Sequence, residues 1–218
     1  VVGDIIYGLP CHADCLLRID TRTDEVGVIE IPYEDYFDTS IPENGDETQT
    51  EAYLERHSPW KYHGGAISPH DKCIYAVPQY SKKVIRFNPV TEECSFVGPK
   101  FEGRCKWYGG VVGNSDGAIY CIPQNAEGIL RIDASGVNYK GEVEHDPNGL
   151  APSSPEARVL VTVHGDYPLG LHKWHGAAAS ADGTIVSVPN NADNVLCCKP
   201  APNAMYPSPD TKSDTARA

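Results

Sequence analysis

The chain has 218 residues, 40% of them hydrophobic and 22% charged, with a formal net charge of −12 at pH 7. That length can bury a substantial core in one large all-β domain or two smaller ones, and no apolar run approaches the ~18 residues of a membrane-spanning helix. The acidic balance argues against nucleic acid or an anionic membrane surface as partner, because both select basic patches.

In chain order, one pattern recurs four times in degraded copies. A truncated copy, DIIYGLPCHADCLLRID, opens the chain at Asp4–Asp20. Fuller ones begin at Lys61 (KYHGGAISPHDKCIYAVPQYSKKVIRFN), Lys106 (KWYGGVVGNSDGAIYCIPQNAEGILRID) and Lys173 (KWHGAAASADGTIVSVPNNADNVLCCK). The anchor is a proline after the second apolar run, at Pro10, Pro78, Pro123 and Pro189. Seven residues beyond each stands an aliphatic, Leu17, Ile85, Leu130 and Leu196. A fixed spacing of this kind marks a repeat architecture.

Within a copy, short β-branched runs alternate with turn clusters such as Asn114-Ser115-Asp116-Gly117, and no helical period appears. Four antiparallel strands in about 45 residues is the size of one propeller blade. The expected fold is therefore all-β, a β-propeller of four-stranded antiparallel blades with about three and a half blades present. Boundaries follow at 1–59, 60–105, 106–172 and 173–199, with a Pro-rich, extended or disordered tail at 200–218. Copy one lacks its first strand and copy four its last. The chain opens on valine inside a repeat, which reads as a piece of a longer protein.

The spacing is 45 from Ile74 to Ile119 but 68 and 66 for the flanking pairs, which places one insertion near 33–59 and another near 145–172. The first is acidic, with nine Asp or Glu and no Lys or Arg over 30–55. Thr48 or Thr50 is placed to cap a short helix there. The second insertion is rich in Pro, Ser and Gly, and its apolar run at 159–163 fits a displaced fourth strand. Open sheet edges predict pairing with protein partners or with missing blades, and the acidic loop 30–55 suits a basic surface.

Candidate chemistry is sparse. Lys61, His63, Lys106, Tyr108, Lys173 and His175 begin the strand that lines the channel of a propeller, where they could bind an anion or a divalent metal. Alternatively, the aromatics pack between blades while the glycines allow close approach. Arg18, Arg86 and Arg131 suit solvated or inter-blade ion pairs, and Asp20, Asn88 and Asp133 suit turns. Cys11, His12 and Cys15 form the one local cluster with metal-ligand chemistry, without the second pair that a zinc site needs. The eight cysteines are out of step with the repeat and are expected as free, buried thiols. No nucleophile elbow, phosphate loop or HExxH is present, and no cofactor is called for beyond that divalent metal.

The consensus KW-H-GG…DG-x-IY-x-IP-x-NA-x-x-VL-x-ID resembles a propeller repeat of large proteins of algae and other single-celled eukaryotes. It is distantly similar to streptogramin-lyase-like and lactonase-like propellers. The resemblance covers residues 4–31, 61–99, 106–133 and 173–199. It implies a propeller, and for an enzyme of that shape a metal held in the channel by carboxylate, Asn or His ligands, a set not matched residue by residue here. Three functions follow as expectations. The first is a non-enzymatic interaction or scaffold module, an accessory subunit of a larger assembly, for instance an organellar one. The others are a metal-dependent lyase or lactone hydrolase and an extracellular calcium- or glycan-binding domain. Sequence fixes no compartment, an organelle and secretion after processing both being open.

Overall fold

A computed structural model describes residues 1–136 and 158–200. Among them lie four antiparallel sheets, each a hairpin meander. Blade 1 has β1 (Ile5–Gly8), β2 (Cys15–Asp20) and β3 (Val26–Glu30). Two short helices follow, α1 (Tyr33–Tyr36) and α2 (Glu51–Arg56). Blade 2 has β4 (Tyr62–Ile67), β5 (Ile74–Pro78), β6 (Val84–Asn88) and β7 (Glu93–Val97). Blade 3 has β8 (Trp107–Val112), β9 (Ile119–Pro123), β10 (Ile129–Asp133) and β11 (Leu160–His164). Blade 4 has β12 (Trp174–Ala179), β13 (Ile185–Pro189) and β14 (Leu196–Cys198). The apolar run at 159–163 does supply the fourth strand of blade 3, whereas 145–157 and the tail at 201–218 lie outside the described residues.

The anchor proline has a structural reason. Pro78, Pro123 and Pro189 close β5, β9 and β13, each opposite the first residue of the inner strand, Tyr62, Trp107 or Trp174. A strand end tolerates proline because no ladder hydrogen bond is lost beyond it. Among the described residues β1 pairs only with β2, and it stops at Gly8, two residues before Pro10.

Blades stack front to back. The front of blade 2 (Ile74, Ile85, Phe87, Phe96) packs on the back of blade 1 around Leu16, Tyr7 and Ile29. The front of blade 3 (Ile119, Leu130, Ile132, Val161) packs on the back of blade 2 (Tyr75, Val77, Val84). That of blade 4 (Ile185, Leu196, Cys198) packs on the back of blade 3 (Tyr120, Ile122, Ile129). This is why β5, β9 and β10 are buried on both faces instead of alternating. Among the described residues nothing covers the two remaining faces. The front of blade 1 exposes Ile6, Leu17, Val26 and Val28, the last two at 68% and 65%. The back of blade 4 exposes Val186, Val188 and Cys197, with Val188 at 66%.

The acidic insertion is not a loose loop. Ile31, Tyr33, Phe37 and Ala52 join the core between blades 1 and 2, where Phe96 meets the rings of Tyr33, Tyr36 and Phe37. Thr50 caps α2, its hydroxyl accepting from the Tyr53 N–H at 3.2 Å. Part of its charge is met within the chain, because Arg56 pairs with Glu34, and Lys82 and Lys100 pair with Glu51. Glu55 is buried and accepts from the Ser81 hydroxyl and the Lys82 N–H.

Candidate functional site

The inner strands β4, β8 and β12 lie side by side, and one local device repeats in each. A bulge falls at Gly64, Gly109 and Gly176, whose φ angles are +77°, +75° and +62°. Glycine is required by the left-handed backbone and by space. A Cβ on Gly64 would stand 3.2 Å from the Gly109 Cα, and one on Gly109 would stand 3.3 Å from the Gly176 Cα. That approach sets the preceding rings on one another. His63 stacks on Tyr108 at 3.7 Å between centroids, and Tyr108 on His175 at 4.2 Å. Burial lowers the pKa of His63 and His175, with a neighbouring histidine (His175 and His172 respectively) adding to each shift, so the column holds neutral rings near pH 7.

Beside the column runs an amide relay. The Gln79 Nε2 donates to the Gln124 Oε1 at 3.1 Å, and the Gln124 Nε2 lies 2.7 Å from His172 Nδ1 and 2.9 Å from His175 Nε2. The Gln79 Oε1 is buried without a partner among the described residues.

Lys61, Lys106 and Lys173 are buried, and their ammonium groups are engaged by main-chain carbonyls. Lys61 donates to His12, Arg56 and Ser58, Lys106 to Gln79, Tyr80 and Gly103, and Lys173 to Ala126 and Pro168. Burial brings Lys106 down to about 8. Their backbones tie the blades together, since the Lys61, Lys106 and Lys173 N–H groups donate to the carbonyls of Cys11, Gln79 and Gln124 in the preceding blade. The six channel candidates therefore separate into a ring column and a set of lysines that staple loops.

Cys11, His12 and Cys15 do not converge. His12 sits edge-on to Trp60, and Cys15 opens β2 opposite Glu30. Among the described residues no three His, Cys, Asp or Glu side chains are grouped to hold a metal. All eight cysteines are unpaired, and only Cys73 and Cys121 are fully buried, fewer than expected; Cys94 and Cys198 are half-buried at the margins of the inter-blade cores, and Cys197 is exposed on the back of blade 4.

One feature had no sequence signal, and a second was legible only in its arginines. Arg86 and Arg131 pair with an aspartate of their own blade and are buried where a solvated or inter-blade pair was expected. Trp60, Cys105 and His172, each just before the repeat lysine, all adopt φ near +50° (54°, 50° and 53°), a conformation uncommon outside glycine. Three chemically unlike residues share it, so only the position gives it away. A Tyr–Asp–Arg network also recurs. Tyr75 and Arg86 share Asp71, and Tyr120 and Arg131 share Asp116. In blade 1, Tyr7 and Arg18 reach across to Glu92 of blade 2 instead, an inter-blade pair. Blade 4 has Val186 and Cys197 at those positions.

No family model and no curated protein matches the chain. Solved structures do. It is similar to hydrazine synthase from Kuenenia stuttgartiensis, with a TM-score of 0.51 and 14% identity over 90% of this chain and 43% of that one. It also aligns with virginiamycin B lyase from Staphylococcus aureus (TM-score 0.47, 13% identity, 92% of this chain and 54% of that one). A third match is the PQQ-bound aldose sugar dehydrogenase from Streptomyces coelicolor (0.49, 16%, 98% and 62%). The chain thus spans about half the length of these structures. The fold is an arc of β-propeller blades. At such identities the likeness carries fold and no activity. No helix among the described residues is long and apolar enough to cross a membrane.

Proposed function

We propose that the chain is a non-enzymatic interaction module, an arc of four blades spanning residues 1–199 whose end faces dock onto further propeller blades. One observation carries this reading. Every internal joint buries a front face on a back face, while the front of blade 1 and the back of blade 4 leave the same kinds of apolar residue in water. Contiguous exposed apolar patches of this kind mark interaction sites. The docking partner has defined chemistry, a sheet face of Ile, Val, Leu and Phe of the sort blades 2 and 3 already present. The recurrent groups of the inner strands, by contrast, are occupied in holding blades together.

In the isolated chain the blades on offer are those of another copy. Its mass by light scattering should therefore rise with concentration, and an apolar dye should bind it. Val28→Lys and Val188→Lys, at largely exposed positions, should each reduce both signals while leaving the melting temperature in place. Mass and dye binding that ignore both substitutions would overturn the reading.

A further inference from the structure

Among the described residues blade 1 has three strands, and the other three blades spell out what a fourth at its inner edge requires. We propose that its inner edge, along β1 and on to Cys15, is an acceptor for an extended segment of Lys-Trp-(Tyr/His)-Gly-Gly-apolar chemistry, added as a fourth strand.

The position is defined atom by atom through the repeat. The Val2 N–H donates to the Ile5 carbonyl at 2.9 Å, just as Ser68 donates to Cys73, Gly113 to Ala118 and Ser180 to Thr184. Val2 therefore stands where the inner strand of each other blade ends. In blades 2 and 3 that strand runs on past Ala66↔Tyr75 and Gly65↔Ala76, or Val111↔Tyr120 and Gly110↔Cys121, to a ring opposite the anchor proline. The same register on blade 1 sets an apolar residue opposite Tyr7, glycine opposite Gly8 and the aromatic opposite Pro10. An edge unpaired among the described residues, as this one is, is what strand addition uses.

Three further groups wait there. The Lys61 carbonyl accepts from the Gln79 and Ser81 N–H groups, and Lys106 and Lys173 do likewise for Gln124 with Ala126 and Asn190 with Ala192. The counterparts in blade 1, the Cys11 and Ala13 N–H groups, have no acceptor among the described residues. The Trp107 and Trp174 indoles donate at 2.8 Å to carbonyls five residues past the anchor proline, Gly128 and Asn194, and the Tyr62 hydroxyl donates to Lys83. In blade 1 that carbonyl belongs to Cys15. Finally, the ring column ends at His63 on the blade 1 side, so the third residue of an incoming segment would extend it, and its glycine would meet Gly64 as Gly64 meets Gly109. A main-chain ladder supplies affinity, and the indole, the ring and the glycine supply selectivity.

The probe is the chain's own Lys106–Val111 sequence, as the capped peptide KWYGGV. It should raise the melting temperature of the 218-residue chain saturably and slow amide exchange in β1. Replacing its tryptophan by alanine, or its first glycine by valine, should weaken the effect at least tenfold. A scrambled peptide that does as well, or no slowing of β1 exchange at millimolar peptide, would overturn the proposal. Should short peptides bind too weakly to read, the same six residues joined directly to Val1 keep the register, and one extra residue at the junction turns every side chain to the wrong face. The in-register fusion should melt several degrees higher than the shifted one, and equal melting would overturn the proposal as well. Val188→Lys, which disables the opposite end of the arc, should leave peptide binding unchanged. End-face docking and strand addition therefore fail or stand separately.

Discussion

At the residue scale the repeated glycine governs the axis. Gly109 combines a positive φ with a neighbour's backbone 3.3 Å from where its Cβ would be. Alanine there must either bear the left-handed backbone, at about 1–2 kcal/mol, or push β8 away from β12. We expect Gly109→Ala to lower stability by at least that amount in chemical denaturation and to loosen the Tyr108–His175 stack. Gly27→Ala is the control, because nothing lies within 4 Å of its Cβ position and no positive φ is needed. It should fall within about 0.5 kcal/mol of the parent. An equal cost at both positions would show that the bulges do not set the spacing of the inner strands. The same residue-level reading explains why the lysines looked like a ligand set. Lysine at one place in every blade is visible in sequence, but the carbonyls it serves belong to loops such as 56–58 and 79–80, which only the fold brings to it.

At the element scale, strands were legible and docking was not. Proline and aliphatic spacing located β5, β9 and β13 because each ends at a ladder position that tolerates proline. A threonine cap was legible, at Thr48 or Thr50, because a threonine before Glu-Ala-Tyr-Leu satisfies a free N–H whatever surrounds it, and the structure selects Thr50. By contrast, Ile31, Tyr33 and Phe37 follow no period, so nothing in sequence says they enter the core beside Phe96. The insertion's charge is informative in the same way. Burial pushes Glu51 up, but the Lys100 and Lys82 ammonium groups and the Asp38 N–H outweigh it and hold Glu51 at about 2. Its folded value lies below its ordinary one, so the clamp stabilises above the usual carboxylate range and is lost as pH falls toward about 2. Glu51→Gln should therefore melt below the parent at pH 7, with the gap closing progressively below pH 4.5. A gap that persists unchanged in acid would mean that packing of α2, not the ion pairs, fastens the insertion.

At the scale of the whole molecule, two forces oppose each other in any joining of arcs. The end faces are apolar, and their attraction does not depend on ionic strength in the way a salt bridge does. Every copy meanwhile carries a formal charge of −12, which repels a second copy over the screening length. Raising ionic strength from about 0.01 to about 1 M shortens that length from about 30 to about 3 Å. Association of the isolated chain should consequently strengthen with salt, its half-association concentration falling as NaCl is added. The exposed acids of the insertion, Asp35, Asp38, Glu43, Asp46 and Glu47 among them, predict the reverse if they were the docking surface, since pairs with a basic face weaken as salt rises. Light scattering across a salt series separates the two. A mass that falls with salt would place recognition on the acidic insertion, and a mass that rises would place it on Val28, Val188 and their neighbours. The sign of one slope thus decides whether the blade faces or the inserted helix is the business end of this arc.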